Sequence, residues 1–442
     1  MSGTTKSVRV PRLRFPEFRD VWISSPVSGL FTFKGNNSLS RDKLNYTDGP
    51  FKNIHYGDIH TKFSQHFRAD VEQVPYVNKG ESHSTIRPEN YCMNGDVIFA
   101  DASEDMADIG KAIEIIDVGD VPLVSGLHTI FARPTKGSFA IGFVAYLFSS
   151  EGVRKQIQRE AQGAKVLGLS ATRLGGVLLL YPRSPTEQQK IADCLSSLDD
   201  LITLEAQKLD SLKAHKKGLM QQLFPREGKT QPRLRFPEFR NAGEWEVKPL
   251  GEIFPITSSK RVHESDWTVT GVPFYRAREI VALSKHEMIQ PLFISEELYS
   301  AHSKQTGEIR DGHLLVTGVG SIGVPYLVRA GDRFYFKDGN IIWLKNDGKE
   351  LSGEFLLRLY ETDYVQNQIK AMADVGTVAT YTIDNAKRTL AAFPRAKAEQ
   401  QRIASCLTSL DDLITAQTQK LEALKTHKKG LMQQLFPQVS EE

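Results

Sequence analysis

Residues 187–202 read E-Q-Q-K-I-A-D-C-L-S-S-L-D-D-L-I, and residues 399–414 repeat them as E-Q-Q-R-I-A-S-C-L-T-S-L-D-D-L-I. Both copies then end in H-K-K-G-L-M-Q-Q-L-F-P, at 215–225 and at 427–437. About three quarters of the positions are identical between the two copies, which lie 212 residues apart. A repeat of this length predicts that the chain contains two copies of one structural plan.

Each copy has the hydrophobic spacing of one long helix. Isoleucine and leucine recur three and four residues apart, with two gaps, which is the seam of a coiled coil. The seam residues are Ile191, Leu195, Leu198, Ile202, Leu209, Leu212, Leu219 and Leu223 in the first copy, and Ile403, Leu407, Leu410, Ile414, Leu421, Leu424, Leu431 and Leu435 in the second. S-P-T-E at 184–187 is a capping-box sequence, and Pro225 and Pro437 end the helices.

Charge is distributed unevenly along the helices. The first half of the first helix is acidic and its second half is rich in lysine, so antiparallel packing brings opposite charges together. We therefore expect an antiparallel intramolecular coiled coil with pseudo-two-fold symmetry, in which the polar seam residues Glu205 and Gln417 face each other. The alternative is two separate surface helices, each packed on its own domain.

A shorter motif, P-R-L-R-F-P-E-F-R, occurs at 11–19 and again at 232–240, and each copy is followed by a tryptophan. The order of motif, domain and helix therefore occurs twice. Each domain alternates turn-bounded strands with helical sequence, which predicts an α/β (α+β) fold of mixed, mostly antiparallel strands. The expected boundaries are an N-terminal segment 1–19, a first domain 20–182, a helical spacer 183–225, a linker with the repeated motif 226–240, a second domain 241–394, a second helical spacer 395–437 and a tail 438–442.

Composition excludes several classes of function. The net charge of +3 is too small to establish nucleic-acid binding, and the three cysteines form no disulfide or metal-binding pattern, as expected of a cytoplasmic protein. The glycines of 318–323 match a dinucleotide fingerprint, but strand-like sequence follows where a helix is required, so we interpret the segment as a loop. The sequence contains no methyltransferase, P-loop or H-E-x-x-H motif, and no apolar run of membrane-spanning length.

The repeated motifs and helices together resemble the specificity (S) subunit of type I restriction-modification enzymes, over essentially the whole chain. The resemblance implies two target-recognition domains, each reading one half of a bipartite, asymmetric site in double-stranded DNA, with the helices setting the spacing. It implies a non-catalytic subunit of a prokaryotic, cytoplasmic DNA methyltransferase and restriction endonuclease. It further implies two modification (M) subunits that use S-adenosylmethionine and restriction (R) subunits that need ATP and magnesium, with no cofactor or metal bound by this chain.

Polar and basic side chains in the loops are the candidates for reading base edges or holding phosphates. In the first domain they are Lys34, Asn36, Asn37, Arg41, Lys43, His55, Tyr56, Lys165 and Arg173; in the second they are Lys260, Arg261, Arg276, Arg278, Thr377 and Tyr381. The exposed helix faces are expected to bind the modification subunits through Glu187, Gln188, Lys217, Gln221, Glu399, Gln400, Lys429 and Gln433. Any of these could instead be an ordinary surface residue, and Tyr56 and Tyr381 could equally lie in the core.

Two other functions stay open at this point. One is an enzyme, a DNA methyltransferase or nuclease, with an unfamiliar motif, and modification or cleavage of DNA by the chain alone would favour it. The other is a coiled-coil interaction scaffold that makes no contact with DNA. Failure to bind DNA even with modification subunits present would favour the scaffold.

Overall fold

The computed structural model describes residues 10–81, 86–285, 287–373 and 379–437. The chain divides into two compact units, one made of Met1–Ala206 with Lys420–Glu442 and the other of Gln207–Gln419. We call them unit 1 and unit 2. Each unit therefore contains one domain, the first part of one long helix and the last part of the other.

In unit 1, short strands alternate with short helices. The strands are β1 (Ile23–Pro26), β2 (Phe31–Lys34), β3 (Leu44–Asn45), β4 (Lys52–Ile54), β5 (His66–Arg68), β6 (Tyr76–Val77), β7 (Val97–Ala100), β8 (Ala102–Ser103), β9 (Ala112–Asp117), β10 (Leu123–Ser125), β11 (Thr129–Pro134), β12 (Leu167–Gly168) and β13 (Leu178–Tyr181). The helices are α1 (Val27–Leu30), α2 (Tyr56–Thr61), α3 (Phe143–Ser149), α4 (Glu151–Glu160), α5 (Ala171–Gly176) and α6 (Pro185–Leu223), which continues into unit 2. Single 3-10 turns lie at Arg41–Lys43 and Pro88–Asn90.

The strands of unit 1 form two main sheets. A five-stranded sheet has the order β2-β11-β7-β9-β5, antiparallel except for the parallel pair β5 and β9. A four-stranded sheet has the order β10-β4-β6-β3, with β10 parallel to β4. The first and last strands of the domain pair as an antiparallel ribbon, with Ile23 opposite Tyr181. This ribbon places both ends of the domain next to the start of α6.

Unit 2 follows the same plan. Its strands are β14 (Glu246–Pro249), β15 (Ile256–Thr257), β16 (Trp267–Thr268), β17 (Val272–Tyr275), β18 (Leu292–Ile294), β19 (Leu314–Thr317), β20 (Pro325–Leu327), β21 (Tyr335–Phe336), β22 (Ile341–Leu344) and β23 (Leu390–Phe393). Its helices are α7 (Leu250–Ile253), α8 (Ala277–Ser284), α9 (Glu296–Thr306), α10 (Gly353–Tyr360), α11 (Asp363–Met372), α12 (Ile383–Arg388) and α13 (Lys397–Leu435), which continues into unit 1. Single 3-10 turns lie at Pro237–Phe239 and Glu264–Asp266.

Two four-stranded sheets, β15-β22-β19-β20 and β16-β18-β17-β21, make up most of unit 2, and β14 pairs with β23 as the terminal ribbon. The glycine-rich segment 318–323 joins the antiparallel strands β19 and β20. A strand rather than a helix follows these glycines, so the segment lacks the helix start that a dinucleotide site requires.

The two long helices pack antiparallel, as their charge distribution predicts. In unit 1, Lys420 pairs with Glu205 and Lys428 pairs with Asp199, so the partner's number falls as the position along α13 rises. In unit 2, Lys216 Nζ lies 2.6 Å from Asp411 Oδ1. These two residues are the repeat equivalents of Lys428 and Asp199. All sixteen seam residues are buried or half-buried. The predicted fold class is therefore confirmed.

The main core of each unit is completed by both helices. In unit 1 it includes Ile191 and Leu195 of α6 and Leu435 of α13. In unit 2 it includes Leu223 of α6 and Ile403 of α13. In the described part of the chain, no helix is both long and apolar enough to cross a membrane.

Candidate nucleic-acid interface and helix surfaces

The short repeated motif is bound to the start of a long helix in each unit. In unit 1, Arg14 donates from Nε and Nη2 to the two carboxylate oxygens of Glu187, at 2.7 and 2.8 Å. Trp22 Nε1 donates to the same carboxylate at 3.1 Å, and the Trp22 ring packs edge-on against Phe436 at the end of α13. A buried carboxylate with a bidentate arginine and an indole donor is fully paired. This cluster ties motif, α6 and α13 together.

Unit 2 repeats the cluster with its own residues. Arg235 donates to both oxygens of Glu399 at 2.7 Å, and Trp245 Nε1 donates to Glu399 at 3.3 Å. The Trp245 ring packs against Phe224, at the end of α6, with ring centroids 6.0 Å apart. In both units, therefore, the repeated motif binds the E-Q-Q sequence at the start of a long helix.

This finding corrects half of the predicted helix surface. Glu187 and Glu399 are buried in the two clusters. Gln188 and Gln400 are also fully buried, where each amide bonds to backbone at the closing strand of its domain: Gln188 to the Pro182 carbonyl and Gln400 to the Pro394 carbonyl. None of these four side chains is available to a partner. Polar residues at these positions attach the helices to their own domains.

The other four predicted interface residues are exposed. Lys217 and Lys429 carry exposed side chains on the last third of each helix. Gln221 Nε2 donates to Asp363 at 3.1 Å in unit 2, and Gln433 Nε2 makes the equivalent bond to Glu151 in unit 1. In unit 2 these residues border a cleft of about 730 Å³ between the helices and the α10–α11 junction. Its lining includes Lys213, Lys217, Met220, Gln221, Tyr364 and Ile414.

Two candidates for DNA contact in unit 1 are internal instead. Asn37 is buried and its amide donates to Asn53 Oδ1 at 2.7 Å and to the Ser125 carbonyl at 2.9 Å. His55 is buried at the start of α2, where its Nδ1 accepts from Gly57 N at 3.2 Å. Burial, and then the charge of Arg41, lowers the pKa of His55. Both side chains fix loops, and neither can present a group to a base.

The remaining unit 1 candidates differ in exposure and in the internal contacts that their polar groups make. Asn36 is exposed, but its amide donates to the Thr129 carbonyl at 2.8 Å. Lys43 pairs with Glu81 at 2.9 Å, and Arg173 Nη1 donates to the Glu160 carbonyl at 3.2 Å. Lys34 ends β2 half-buried, Tyr56 is half-buried with its ring against those of His55, His60 and His128, and Lys165 is exposed. Arg41 is held by the buried Asp58, at 2.7 and 2.9 Å.

In unit 2, the basic candidates lie on the surface. Lys260 donates to Gln305 Oε1 at 2.7 Å and Arg261 pairs with Asp338 at 3.0 Å. Arg276 precedes α8, Arg278 lies in its first turn, and both bind the buried Glu279. Tyr381 is a correction: it is 1% exposed, and its hydroxyl bonds to Thr389 Oγ1 at 2.6 Å in the core. Thr377 lies outside the described residues.

Known proteins of similar sequence and fold are specificity subunits of type I restriction enzymes. Residues 242–426 match the type I restriction modification DNA specificity domain. A Haemophilus influenzae protein named as a type I restriction enzyme specificity subunit is 28% identical over 40% of this chain and 42% of its own length. The MjaX specificity subunit of Methanocaldococcus jannaschii, another type I restriction enzyme protein, is 24% identical over 84% of this chain and 83% of its own.

This chain is therefore similar to type I restriction-modification specificity subunits, through residues 242–426 and through the MjaX subunit over 84% of its length. The S subunit of M. genitalium, known from a crystal structure, has the same fold as this chain, with a TM-score of 0.55. The match covers 97% of this chain and all of that one, at 14% identity. The aligned segment spans less than half of the Haemophilus protein, whereas it spans most of the MjaX subunit.

Sequence reasoning missed the residues that organise both units. Arg14 and Arg235 are each the second arginine of the repeated motif, and Glu187 and Glu399 each open the E-Q-Q sequence. A signal was present, since two duplicated motifs of opposite charge suggest a duplicated ion pair. Asp58 and Glu279 had no such signal, because single acidic residues near a helix start are common on protein surfaces.

Proposed function

We propose that this chain is the non-catalytic specificity subunit that selects DNA sequence in a type I restriction-modification complex. Each domain, 20–182 and 241–394, reads one half of a bipartite, asymmetric site in double-stranded DNA. The duplicated cluster of arginine, tryptophan and glutamate supports this function most directly, because it fixes each domain to the long helices. A domain fixed to a rigid helix can present its loops at a set position, as bipartite recognition requires.

The helices set the spacing of the half-sites and bind the modification subunits. A helix of 39 residues is about 58 Å long at about 1.5 Å per residue. Large apolar side chains are exposed on the helices, namely Leu201 and Leu204 in unit 1 and Leu413 in unit 2. In this proposal these leucines are the apolar area that the modification subunits cover.

The chemistry belongs to the partners in this proposal. Two modification subunits supply methyl transfer with S-adenosylmethionine, and restriction subunits supply ATP-dependent, magnesium-dependent cleavage. Among the candidates, Lys165, Arg261 and Arg278 are basic and exposed, which suits contact with DNA. A catalytic role or a DNA-free scaffold are the competing functions.

The test is to map methylated bases in the DNA of a host with and without this gene. We expect a methylated, two-part sequence with unlike halves that disappears with the gene. Replacing residues 20–182 with the same domain of another family member should change one half and preserve the other. DNA that is methylated identically in both hosts would overturn the proposal.

A further inference from the structure

One helix begins in the same way in both units, one residue after a strand of a four-stranded sheet, β4 in unit 1 and β17 in unit 2. In unit 1, α2 follows His55 and carries Asp58 at its third position; in unit 2, α8 follows Arg276 and carries Glu279 there. Both carboxylates are buried, at 1% and 4% exposure. A buried carboxylate is costly unless it is paired, and each of these two is paired with arginine.

In unit 1 the arginine is Arg41, and its Nη groups are hydrogen-bonded within the protein. Arg41 Nη1 donates to Asp58 at 2.7 Å and to the Tyr46 hydroxyl at 3.3 Å. Its Nη2 donates to Asp58 at 2.9 Å and lies 3.2 Å from His55 Nδ1. Three of the four Nη N–H groups thus have an acceptor of their own, and the fourth shares His55 Nδ1 with the Gly57 backbone N–H. Gly57 occupies the second helical position, so α2 itself presents no side chain at that point.

In unit 2 the second helical position carries Arg278. Its Nε donates to Glu279 Oε1 at 2.5 Å, and its side chain is 73% exposed. Among the described residues, its two Nη groups have no hydrogen-bond partner. Arg276 fills the remaining sites of the carboxylate, through its backbone N at 2.9 Å and its guanidinium at 2.8 and 3.2 Å. Arg278 is much the more exposed of the two guanidinium groups, at 73% against 24% for Arg276, and both of its Nη groups face solvent.

The carboxylate remains charged, which keeps the arrangement rigid. Burial alone would raise the pKa of Glu279, but hydrogen bonds from Arg276 and Arg278 outweigh burial and the pKa is lowered. Glu279 also accepts from the backbone at the start of α8, so its position is fixed by the helix. Arg278 is thus held at Nε by the Glu279 carboxylate, which Arg276 and the start of α8 keep in place, while its Nη groups face solvent.

We propose that Arg278 reads a guanine in the half-site recognised by unit 2, with Glu279 as its positioning residue. Two donors on one planar edge match the O6 and N7 acceptors of guanine in the major groove. Anchoring Nε restricts the side chain before DNA binds, so less conformational freedom is lost on contact. The inference rests on the proposed function, since it assigns one base contact to a domain that reads DNA.

The comparison of the α2 and α8 helix starts predicts that the two half-sites differ. At the equivalent place unit 1 offers a glycine and an arginine without free Nη donors, so it cannot make this contact. A guanine read by Arg278 therefore belongs to one half-site only. Arg278 could alternatively bind a phosphate, which would strengthen binding to all sequences equally.

The experiment maps methylated sites in cells that express this chain with its modification subunits. Variants are Arg278→Ala, Arg278→Lys and Glu279→Gln, with Arg333→Ala as control. Arg333 is an exposed arginine of unit 2 that also pairs with a glutamate, Glu296. For the wild type we expect at least about 10-fold preference for guanine at one position. Arg278→Ala should reduce that preference to less than about two-fold, with the other half-site unchanged.

The remaining variants distinguish base recognition by Arg278 from a general effect of its charge and from an effect on protein stability. Arg278→Lys keeps the charge but lacks the planar pair of donors, so it should also lose the preference. Glu279→Gln should weaken the preference at the same position, and Arg333→Ala should leave every position unchanged. A merely structural role for Glu279 would lower methylation at all sites without altering any base preference.

Three results would overturn the inference while leaving the proposed function intact. They are a bipartite site whose base preferences survive Arg278→Ala, a uniform loss of methylation across all sequences, and equal effects of Arg278→Ala and Arg333→Ala. Absence of any bipartite methylated sequence in wild-type cells would instead reject the proposed function. Competition binding of the purified complex to duplexes that differ at the one guanine provides a second readout, independent of methyl transfer.

Discussion

Lys216 Nζ and Asp411 Oδ1 lie 2.6 Å apart across the two long helices of unit 2. The other oxygen of Asp411 receives Arg358 Nη1 at 2.6 Å, and Arg358 is only 6% exposed. Asp411 therefore joins α6, α10 and α13 at one point. The lysine–aspartate part of this contact recurs as Lys428 and Asp199 in unit 1.

Asp411→Asn should lower the free energy of unfolding of unit 2 by about 1–3 kcal/mol, because it leaves the buried Arg358 with a weaker partner. Chemical denaturation combined with hydrogen exchange of α10 and α13 measures the effect. Asp412→Asn, at the exposed neighbouring position, is the control and should cost less than about 0.5 kcal/mol. Equal effects of the two substitutions would contradict a role for Asp411 in joining the helices.

Glu399→Gln should destabilise unit 2 by about 3 kcal/mol, because Arg235 becomes a buried charge without its counter-ion. Glu350→Gln removes the carboxylate of a more exposed pair with Lys248 and should cost at most about 1 kcal/mol. Thermal unfolding followed by tryptophan fluorescence reports on both, since Trp245 contacts Glu399 directly. The cluster would not be the anchor of the motif if the two variants unfolded alike.

Stability should also depend on the protonation of His313 in unit 2. Its Nδ1 accepts from Trp343 Nε1 at 3.0 Å and from Arg310 N at 3.1 Å, so a proton there would break both bonds. Burial, and then the charges of Arg310 and Lys345, lower the pKa of His313 from 6.5 to about 4.

Between pH 6.5 and 4 the unfolded chain binds a proton at His313 that folded unit 2 does not. The stabilisation is therefore complete above pH 6.5 and is lost as pH falls toward 4, by about 3 kcal/mol. His313→Asn keeps an acceptor but cannot titrate, and the wild type minus variant difference in unfolding free energy isolates the effect. A difference that stays constant across this range would refute the assignment.

Phe436 and Phe224 are equivalent residues of the repeat, yet they complete different units. Phe436→Ala should cost about 3–5 kcal/mol and increase hydrogen exchange within residues 10–206, because its ring lies in the unit 1 core. Phe224→Ala should have a similar cost but affect residues 241–394. Each variant is the control for the other. Effects confined to the same unit in both variants would contradict the division of the chain.

The seam, the helix ends and the antiparallel direction were predictable because they depend on local spacing and charge. Ile191 and Leu195 face the core for the same reason that any residues three and four apart share a helix face. The domains were predictable as a plan of strands and helices, since turn and strand signals are also local.

Burial of polar side chains was not predictable from those signals. Glu187 pairs with Arg14 and Trp22, which lie more than 160 residues away in the chain. Gln400 and Tyr381 are likewise buried through partners that the fold brings to them. Polar residues are exposed more often than not, so the sequence favoured the surface for all of them.

The composition of unit 1 has a consequence for synthesis of the protein. Leu435 and Phe436 complete its core, but they are synthesised more than 200 residues after the rest of the first domain. All residues of unit 2 precede them, so unit 2 has its full set of core residues first. Of the two units, the one whose domain is synthesised first is thus completed second, and its apolar surface stays open on the nascent chain until Phe436 has been synthesised. Chaperones that bind exposed apolar segments would meet unit 1 for longer than unit 2.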